Sequence, residues 1–437
     1  MKNKGLIIAV SLLGSVSVIF GVLFLVFLST SNTYKNQLEN NYSKSFYEVA
    51  GNINDLEVDM SKLIATTSLD SQRVLLTNIK ENSSLAVTNL SNLPLNISGI
   101  SGLNSFLNTT SGFSYSLLQN NYKGSSISTS DFAQISDLHE RVKAIQYDLN
   151  SYLSGLNYKY SILDDVDFKD MESSEYSGGF VNTESSKTEV PSLIYDGPFS
   201  DTTLNKEIKG LGDKVYTLEE AEEKLHEIFT GFAIYHTGET TGKFETYNFD
   251  VKGDVDLYVS VTKKGGMLLT ITAFGGGDDI KLSVSQGIEL AETFASDVGI
   301  SDMYSVWYQN TGNILYVNLA PIKSKVIYYS DLIKVKVDLS LGLVVGWEAS
   351  AYATNHVDRS FTSEIGLIDA VNTLSPELNV VERNLCIIPD KYIGELSAYE
   401  FICKWKDYTY YIYIDSNTGT EANILRVINT TSGTLLE

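Results

Sequence analysis

Val337-Asp338-Leu339-Ser340-Leu341-Gly342-Leu343 is the stretch on which the fold turns. An apolar run leads into Asp338, Gly342 follows four residues later, and the chain then becomes apolar again. An Asp side chain accepts hydrogen bonds from turn backbone, and glycine takes a positive φ without a steric cost. The stretch therefore predicts a hairpin turn between antiparallel strands. The same frame stands at Ile414-Asp415-Ser416-Asn417-Thr418-Gly419-Thr420. It stands again at Val261-Thr262-Lys263-Lys264-Gly265-Gly266-Met267, with Thr262 in place of the Asp. Gly266 and Gly342 are 76 residues apart, and Gly342 and Gly419 are 77 apart, which marks an internal repeat.

Each turn has a helix signal upstream. Thr217-Leu218-Glu219-Glu220 reads as a capping box, with Leu218, Ala221, Leu225 and Ile228 on one face. Ser283-Val284-Ser285-Gln286 repeats it, followed by Val284, Ile288, Ala291, Ala295 and Val298. The third signal, near Thr362, has a weaker cap but carries Leu367, Val371 and Leu374. Each unit reads as one helix followed by three or four antiparallel strands, the helix covering one sheet face. The units span 212–278, 279–352 and 353–437.

Residues 31–163 have a different texture, rich in Ser, Asn and Leu and with helical spacing at Ile53, Leu56, Met60 and Leu63 and at Leu149, Leu153 and Leu156. Helices packed as a hairpin or bundle are expected, broken near 94–102 and 124–130. Their stripes either bury one another or present a face to a partner or a second copy. Residues 6–28 are uncharged, and as a helix they would be about 35 Å long, against about 30 Å of bilayer hydrocarbon. Lys2 and Lys4 precede them, so 1–30 is expected to be a membrane anchor with a cytoplasmic N-terminus and the remainder outside. A cleavable signal peptide fits less well, because Phe27-Leu28-Ser29 lacks the small residues of a cleavage site. Residues 164–211 begin with Asp164, Asp165, Asp167, Asp170, Glu172 and Glu175 and read as an acidic linker. The expected class is α+β: a transmembrane helix and helical region, then three tandem repeats.

Lys and Arg number 32 against 54 Asp and Glu, a formal charge of -22 that argues against nucleic acid as a partner. Two cysteines cannot form a disulfide scaffold or a four-thiolate zinc site, and His139, His226, His236 and His356 are scattered. Neither a metal nor a cofactor is expected. H-E-x-x-H and G-x-S-x-G are both missing from the chain. Gly275-Gly276-Gly277-Asp278-Asp279 lacks the Lys and hydroxyl of a phosphate loop. No catalytic residue is assigned. Cys386 and Cys403 flank a hairpin read around residues 391–396, so they are a candidate disulfide, with two buried thiols as the alternative.

Tyr195, Asp196, Gly197, Pro198 and Phe199 lie in Pro191-Ser192-Leu193-Ile194-Tyr195-Asp196-Gly197-Pro198-Phe199-Ser200-Asp201. Asp196-Gly197-Pro198 is a turn, and Tyr195 and Phe199 are free to pack on a sheet. The segment either docks the linker onto the repeats or forms part of a partner surface. The repeat unit resembles the PepSY module. The ordered set of anchor, helical region, this undecapeptide and three repeats resembles the YpeB family of spore germination proteins, from whose pattern Thr262 departs. The resemblance implies three PepSY-like units and a non-enzymatic protein at the spore inner membrane, its bulk facing the cortex. It also implies a SleB-like cortex-lytic enzyme as the partner that is stabilised, localised or restrained. A membrane-tethered sensor is the second reading, and a peptidoglycan hydrolase acting through one buried acid is the third.

Overall fold

The computed structural model describes residues 2–93, 97–156, 199, 207–253, 255–273, 279–390, 394–430 and 433–436. The chain forms two units, one of Met1–Ile64 with Gln72–Glu189 and one of Ala65–Ser71 with Val190–Glu437.

Among the described residues, four helices build the first unit: α1 (Lys2–Ala65), α2 (Leu69–Ser91), α3 (Ile97–Tyr122) and α4 (Thr129–Leu156). Phe46, Val49, Ile53, Leu56, Met60 and Leu63 are all buried, and their alternating steps of three and four are a heptad seam. Gln72, Leu76, Ile79, Ser83, Ala86 and Leu90 repeat the seam on α2, and Leu107, Thr110, Ser114, Leu117 and Asn121 repeat it on α3. Polar side chains in and beside the seam find partners, although among the described residues the Thr110 hydroxyl is buried without one. Asn121 Nδ2 donates to Gln72 Oε1 at 3.0 Å, Ser114 Oγ donates to the Leu76 carbonyl at 2.7 Å, and His139 Nε2 lies 2.9 Å from Glu57 Oε1. The bilayer span expected over residues 6–28 is corrected here. Among the described residues no helix is long and apolar enough to cross a membrane. The apolar run is not a bounded element but the start of a single 64-residue helix. That helix continues without a break through Ser29, Thr30, Ser31 and Asn32 into the heptad seam. Side-chain surroundings are described from Val26 onward.

The second unit carries helices α5 (Leu218–Ile228), α6 (Val284–Asp297), α7 (Ser350–Asn355) and α8 (Leu367–Asn372). Both expected capping boxes close: Thr217 with Glu220, and Ser283 with Gln286. Behind α5 run β1 (Ala233–Thr240), β2 (Thr246–Lys252), β3 (Leu257–Thr262) and β4 (Leu268–Ala273). Behind α6 run β5 (Met303–Thr311), β6 (Ile314–Lys323), β7 (Val326–Tyr328), β8 (Ile333–Asp338) and β9 (Leu343–Glu348). Behind α8 run β10 (Asn379–Asp390), β11 (Gly394–Trp405), β12 (Tyr408–Asp415), β13 (Glu421–Thr430) and β14 (Gly433–Leu436). α8 spans six residues and has no side-chain cap, because Gly366 occupies its N-cap.

The fourteen strands of the described residues join one sheet in the order β1-β2-β3-β4-β9-β8-β6-β5-β14-β13-β12-β11-β10-β7. Two of its pairings shape the unit. β4 pairs with β9, so the first two repeats share one core, in which Leu225 of α5 and Ala291 of α6 face the same sheet. Trp347 secures the seam by donating from Nε1 to the Leu268 carbonyl at 3.0 Å. β7 pairs with both β6 and β10, so β5, β6, β7 and β10 to β14 close into a ring of strands. The ring is thinnest at Gly433↔Gln309, the single register pair between β14 and β5.

The candidate disulfide does not form, since Cys386 and Cys403 are both free and buried. In the β10–β11 hairpin Cys386 faces Ala398 and Cys403 faces Val380, so the thiols are offset by five residues, or about 16 Å along the strand. They also point to opposite sheet faces, Cys386 beside Tyr329 and Tyr413 and Cys403 beside Phe401 and Tyr410. The hairpin reverses between Asp390 and Gly394, earlier than the turn expected around 391–396, and this shift moves the register. Burial raises both thiols, Cys403 to about 12. Without reductant, a thiol reagent is therefore expected to modify both cysteines once the chain is unfolded and neither rapidly in the native state. Protection that persists in denaturant would restore the bridge.

Candidate functional site

The three repeat turns receive the starts of their own helices. The carbonyls of Lys263, Leu339 and Ser416 accept from the amides of Tyr216 (2.8 Å), Leu282 (3.0 Å) and Ile365 (3.0 Å), each the residue before a helix N-cap. The turn glycine lies beneath that same residue. A Cβ on Gly266 would come 2.7 Å from the Tyr216 ring, one on Gly419 3.2 Å from Ile365, and one on Gly342 3.6 Å from Leu282. All three have positive φ, at 56°, 69° and 74° for Gly266, Gly342 and Gly419. Asp338 Oδ1 accepts from the amides of Ser340 and Leu341 at 2.8 and 3.0 Å, and Asp415 Oδ1 accepts from that of Asn417 at 2.8 Å. Thr262 does the same work with one hydroxyl, accepting from Met267 N at 2.9 Å and donating to the Lys264 carbonyl at 2.7 Å. These six residues weld hairpin to helix. Tyr216, Leu282 and Ile365 complete the weld, and their signal in the sequence is an apolar residue just ahead of each cap.

Gly342→Ala is expected to cost about 1–2 kcal/mol for its left-handed backbone alone. Gly266→Ala adds about 1–3 kcal/mol more, because the Tyr216 ring must move. Urea unfolding of the two variants measures the difference, and equal losses would remove the seat from the account.

Within the undecapeptide, Tyr195, Asp196, Gly197 and Pro198 lie outside the described residues, whereas Phe199 is placed and is 6% exposed. Its ring centroid lies 5.3 Å from Tyr329, 5.4 Å from Tyr413 and 6.0 Å from Trp307. Trp307 in turn stacks on Tyr329 at 5.0 Å. β5 brings Trp307, the 3-10 turn after β7 brings Tyr329 and β12 brings Tyr413, so Phe199 belongs to the core of the closed ring.

Beside this cage β11 buries Glu400, 1% exposed. Tyr329 Oη donates to Glu400 Oε2 at 2.6 Å, and Asn384 Nδ2 donates to Oε1 at 3.0 Å. Burial raises the Glu400 carboxyl, with these hydrogen bonds opposing it, and raises the Tyr329 and Tyr413 phenols well above their usual range. Glu382 and Cys386 of β10 and Tyr411 and Tyr413 of β12 face the same carboxyl. A carboxyl raised on folding is held more tightly by the native state than by the unfolded chain. Its contribution to stability is full below the unfolded value and is lost as pH rises through the folded one. Glu400→Gln, which keeps an acceptor for Tyr329, is therefore expected to flatten the decline in urea midpoint as pH rises above the ordinary carboxylate range. Identical slopes for the two proteins would show that Glu400 is not the group responsible.

A second buried acid, Asp331, sits where the second and third repeats meet. His356 Nδ1 lies 2.7 Å from its Oδ2, and Arg359 Nη2 donates to its Oδ1 at 2.6 Å. Arg359 continues to Glu395 at 2.9 Å and lies over the Tyr328 ring, 5.0 Å from its centroid. His356 stacks on Tyr352 at 4.2 Å, and burial, then the Asp331 charge, pushes the Tyr352 phenol up to about 12. The linker ties in here too: the amides of Lys209 and Gly210 donate to the carbonyls of Thr354 and Ala353 at 3.0 and 2.9 Å. A Cβ on Gly210 would run into the Tyr352 carbonyl. A His–carboxylate pair is half of a nucleophile-activating relay. In this pair the carboxylate is shared with a guanidinium and the imidazole lies flat on a phenol, which makes it a joint between repeats. Among the described residues no group of three His, Cys, Asp or Glu could hold a metal ion.

The chain has clear relatives. A family model described as "YpeB sporulation, PepSY1 and PepSY2 domains" matches residues 176–362, and one described as "YpeB N-terminal" matches residues 30–160. The "Sporulation protein YpeB" of Halalkalibacterium halodurans is 24% identical over 408 residues, covering 89% of this chain and 90% of the relative. The protein of the same name from Bacillus subtilis is 24% identical over 416 residues, covering 90% of each. Among solved structures, "Bacillus megaterium YpeB C-terminal domain" is similar with a TM-score of 0.45 and 21% identity, covering 49% of this chain and all of that one.

Proposed function

This chain belongs to the YpeB sporulation protein family, and from that premise we propose that it works without catalysis. It acts in the developing and dormant spore as a scaffold that stabilises, localises or restrains a SleB-like cortex-lytic hydrolase. The observation that carries this reading is how the second unit uses its two buried acids. Glu400 is sealed beneath Tyr329 and Asn384, and Asp331 is clamped by His356 and Arg359, so both spend their hydrogen-bonding capacity holding repeats together. A glycan-cleaving acid must instead meet the leaving oxygen of a substrate. A rigid body that binds a folded hydrolase lowers that hydrolase's unfolded population by mass action and so shields it from proteolysis.

Deleting the gene is expected to deplete the hydrolase in mature spores while leaving its transcript unchanged. Purified full chain incubated with cortex sacculi is expected to release no muropeptides. Normal hydrolase abundance in the deletion strain would refute the scaffold, and released muropeptides would favour the hydrolase reading.

A further inference from the structure

β1 is, among the described residues, the strand that has no neighbour along one whole side, because ring closure uses up the far end of the sheet. Its eight residues expose Ala233, Tyr235, His236, Thr237, Glu239 and Thr240, and bury Ile234. Natural edge strands are usually blunted by Lys, Pro, bulges or shortness. β1 contains no Lys or Pro, and its irregularity is confined to a register shift between His236 and Gly238. Over residues 233–236, before that shift, the amide and carbonyl groups of alternate residues, those not bonded to β2, are therefore open to a further strand.

The surroundings of this edge are strongly negative. Residues 217–256, which hold α5, β1 and β2, carry ten Asp and Glu against three Lys. Lys224 donates to the Gly266 carbonyl at 2.8 Å, Lys252 pairs with Asp256 at 2.8 Å and Asp250 at 3.6 Å, and Lys243 lies over the Phe244 ring at 5.6 Å, while Lys263 of the β3–β4 turn pairs with Glu239 of β1 at 2.6 Å. We propose that β1 is a docking edge that takes an extended, basic segment of another protein as one further strand of the sheet. Strand addition draws affinity from main-chain hydrogen bonds and specificity from alternate side chains. Tyr235 offers such a contact, half exposed and opposite Asp250 in the β1–β2 register. Charge selects against a second copy of this chain, since pairing β1 with itself would bring two acidic α5 helices together. The inference does not depend on which hydrolase, if any, the chain serves.

The test uses the full chain and three short probe peptides: alternating Lys and Val, alternating Glu and Val, and the Lys–Val sequence interrupted by Pro. The Lys–Val peptide is expected to bind saturably, more weakly as salt rises, and to slow amide exchange in Ala233–Thr240. The other two peptides are expected not to bind. Tyr235→Lys is expected to weaken binding about tenfold, whereas Tyr235→Glu, at the same exposed position, retains it. Failure of the Lys–Val peptide to bind would overturn the proposal, as would protection confined to other elements or equal binding by the Glu–Val peptide. So would a concentration-dependent dimer that protects β1 without any peptide.

Discussion

Phe199→Ala is expected to lower the unfolding free energy of the second unit by about 3–5 kcal/mol, the range for emptying a buried aromatic site. Trp307, Tyr329 and Tyr413 come from three different elements and meet around this one ring, so the vacated space cannot close by moving any one of them. Phe199→Leu should restore part of the loss. Urea unfolding followed by the emission of Trp307, whose indole faces the vacated space, reads the change directly. The same variant separates the two readings of the undecapeptide. If its first role is to dock the linker, hydrolase abundance in spores falls only as the unit loses stability. If the variant unfolds like the parent while the hydrolase is still lost, Phe199 serves a partner surface instead, and the cage account fails.

What the sequence disclosed and what it withheld follow from the range of each interaction. The turns at Thr262/Gly266, Asp338/Gly342 and Asp415/Gly419 and the capping boxes at Thr217 and Ser283 are satisfied within a few residues, so spacing alone carries them. The heptad seam of α1 is local in the same sense. The shared core of the first two repeats and the ring closed by β7 depend on pairings across long stretches of chain, and no periodicity announces them. The cysteines show how narrow the margin is. A symmetric hairpin was the simplest assumption, yet moving the turn toward Asp390 separated the thiols and left them on opposite faces. Residues 6–28 teach a complementary lesson, since hydropathy over a short window cannot see that the helix carrying it continues without a break into the heptad seam. Glu400 and Asp331 were invisible as single carboxylates among 54 acids, because what distinguishes them is burial and partners from distant strands.

Asp331→Ala is expected to destabilise the second unit by about 3 kcal/mol, the lower end for breaking a buried ion pair. The lower end applies because the Arg359 and His356 side chains left behind are 13% and 34% exposed and regain some water. Arg359→Ala should cost more, since it strands a carboxylate that is 1% exposed with His356 as its remaining side-chain partner. Removing both partners together is then expected to cost clearly less than the two single losses added, because neither charge is left uncompensated. The linker supplies a second readout. Lys209 and Gly210 bond the carbonyls of the helix that leads into His356, so loosening the joint should speed amide exchange at both positions as well as lower the urea midpoint. If the double variant loses the full sum and exchange at Lys209 and Gly210 is unchanged, Asp331 and Arg359 act independently. The second and third repeats would then be held together by the strand pairing and the aromatic cage alone.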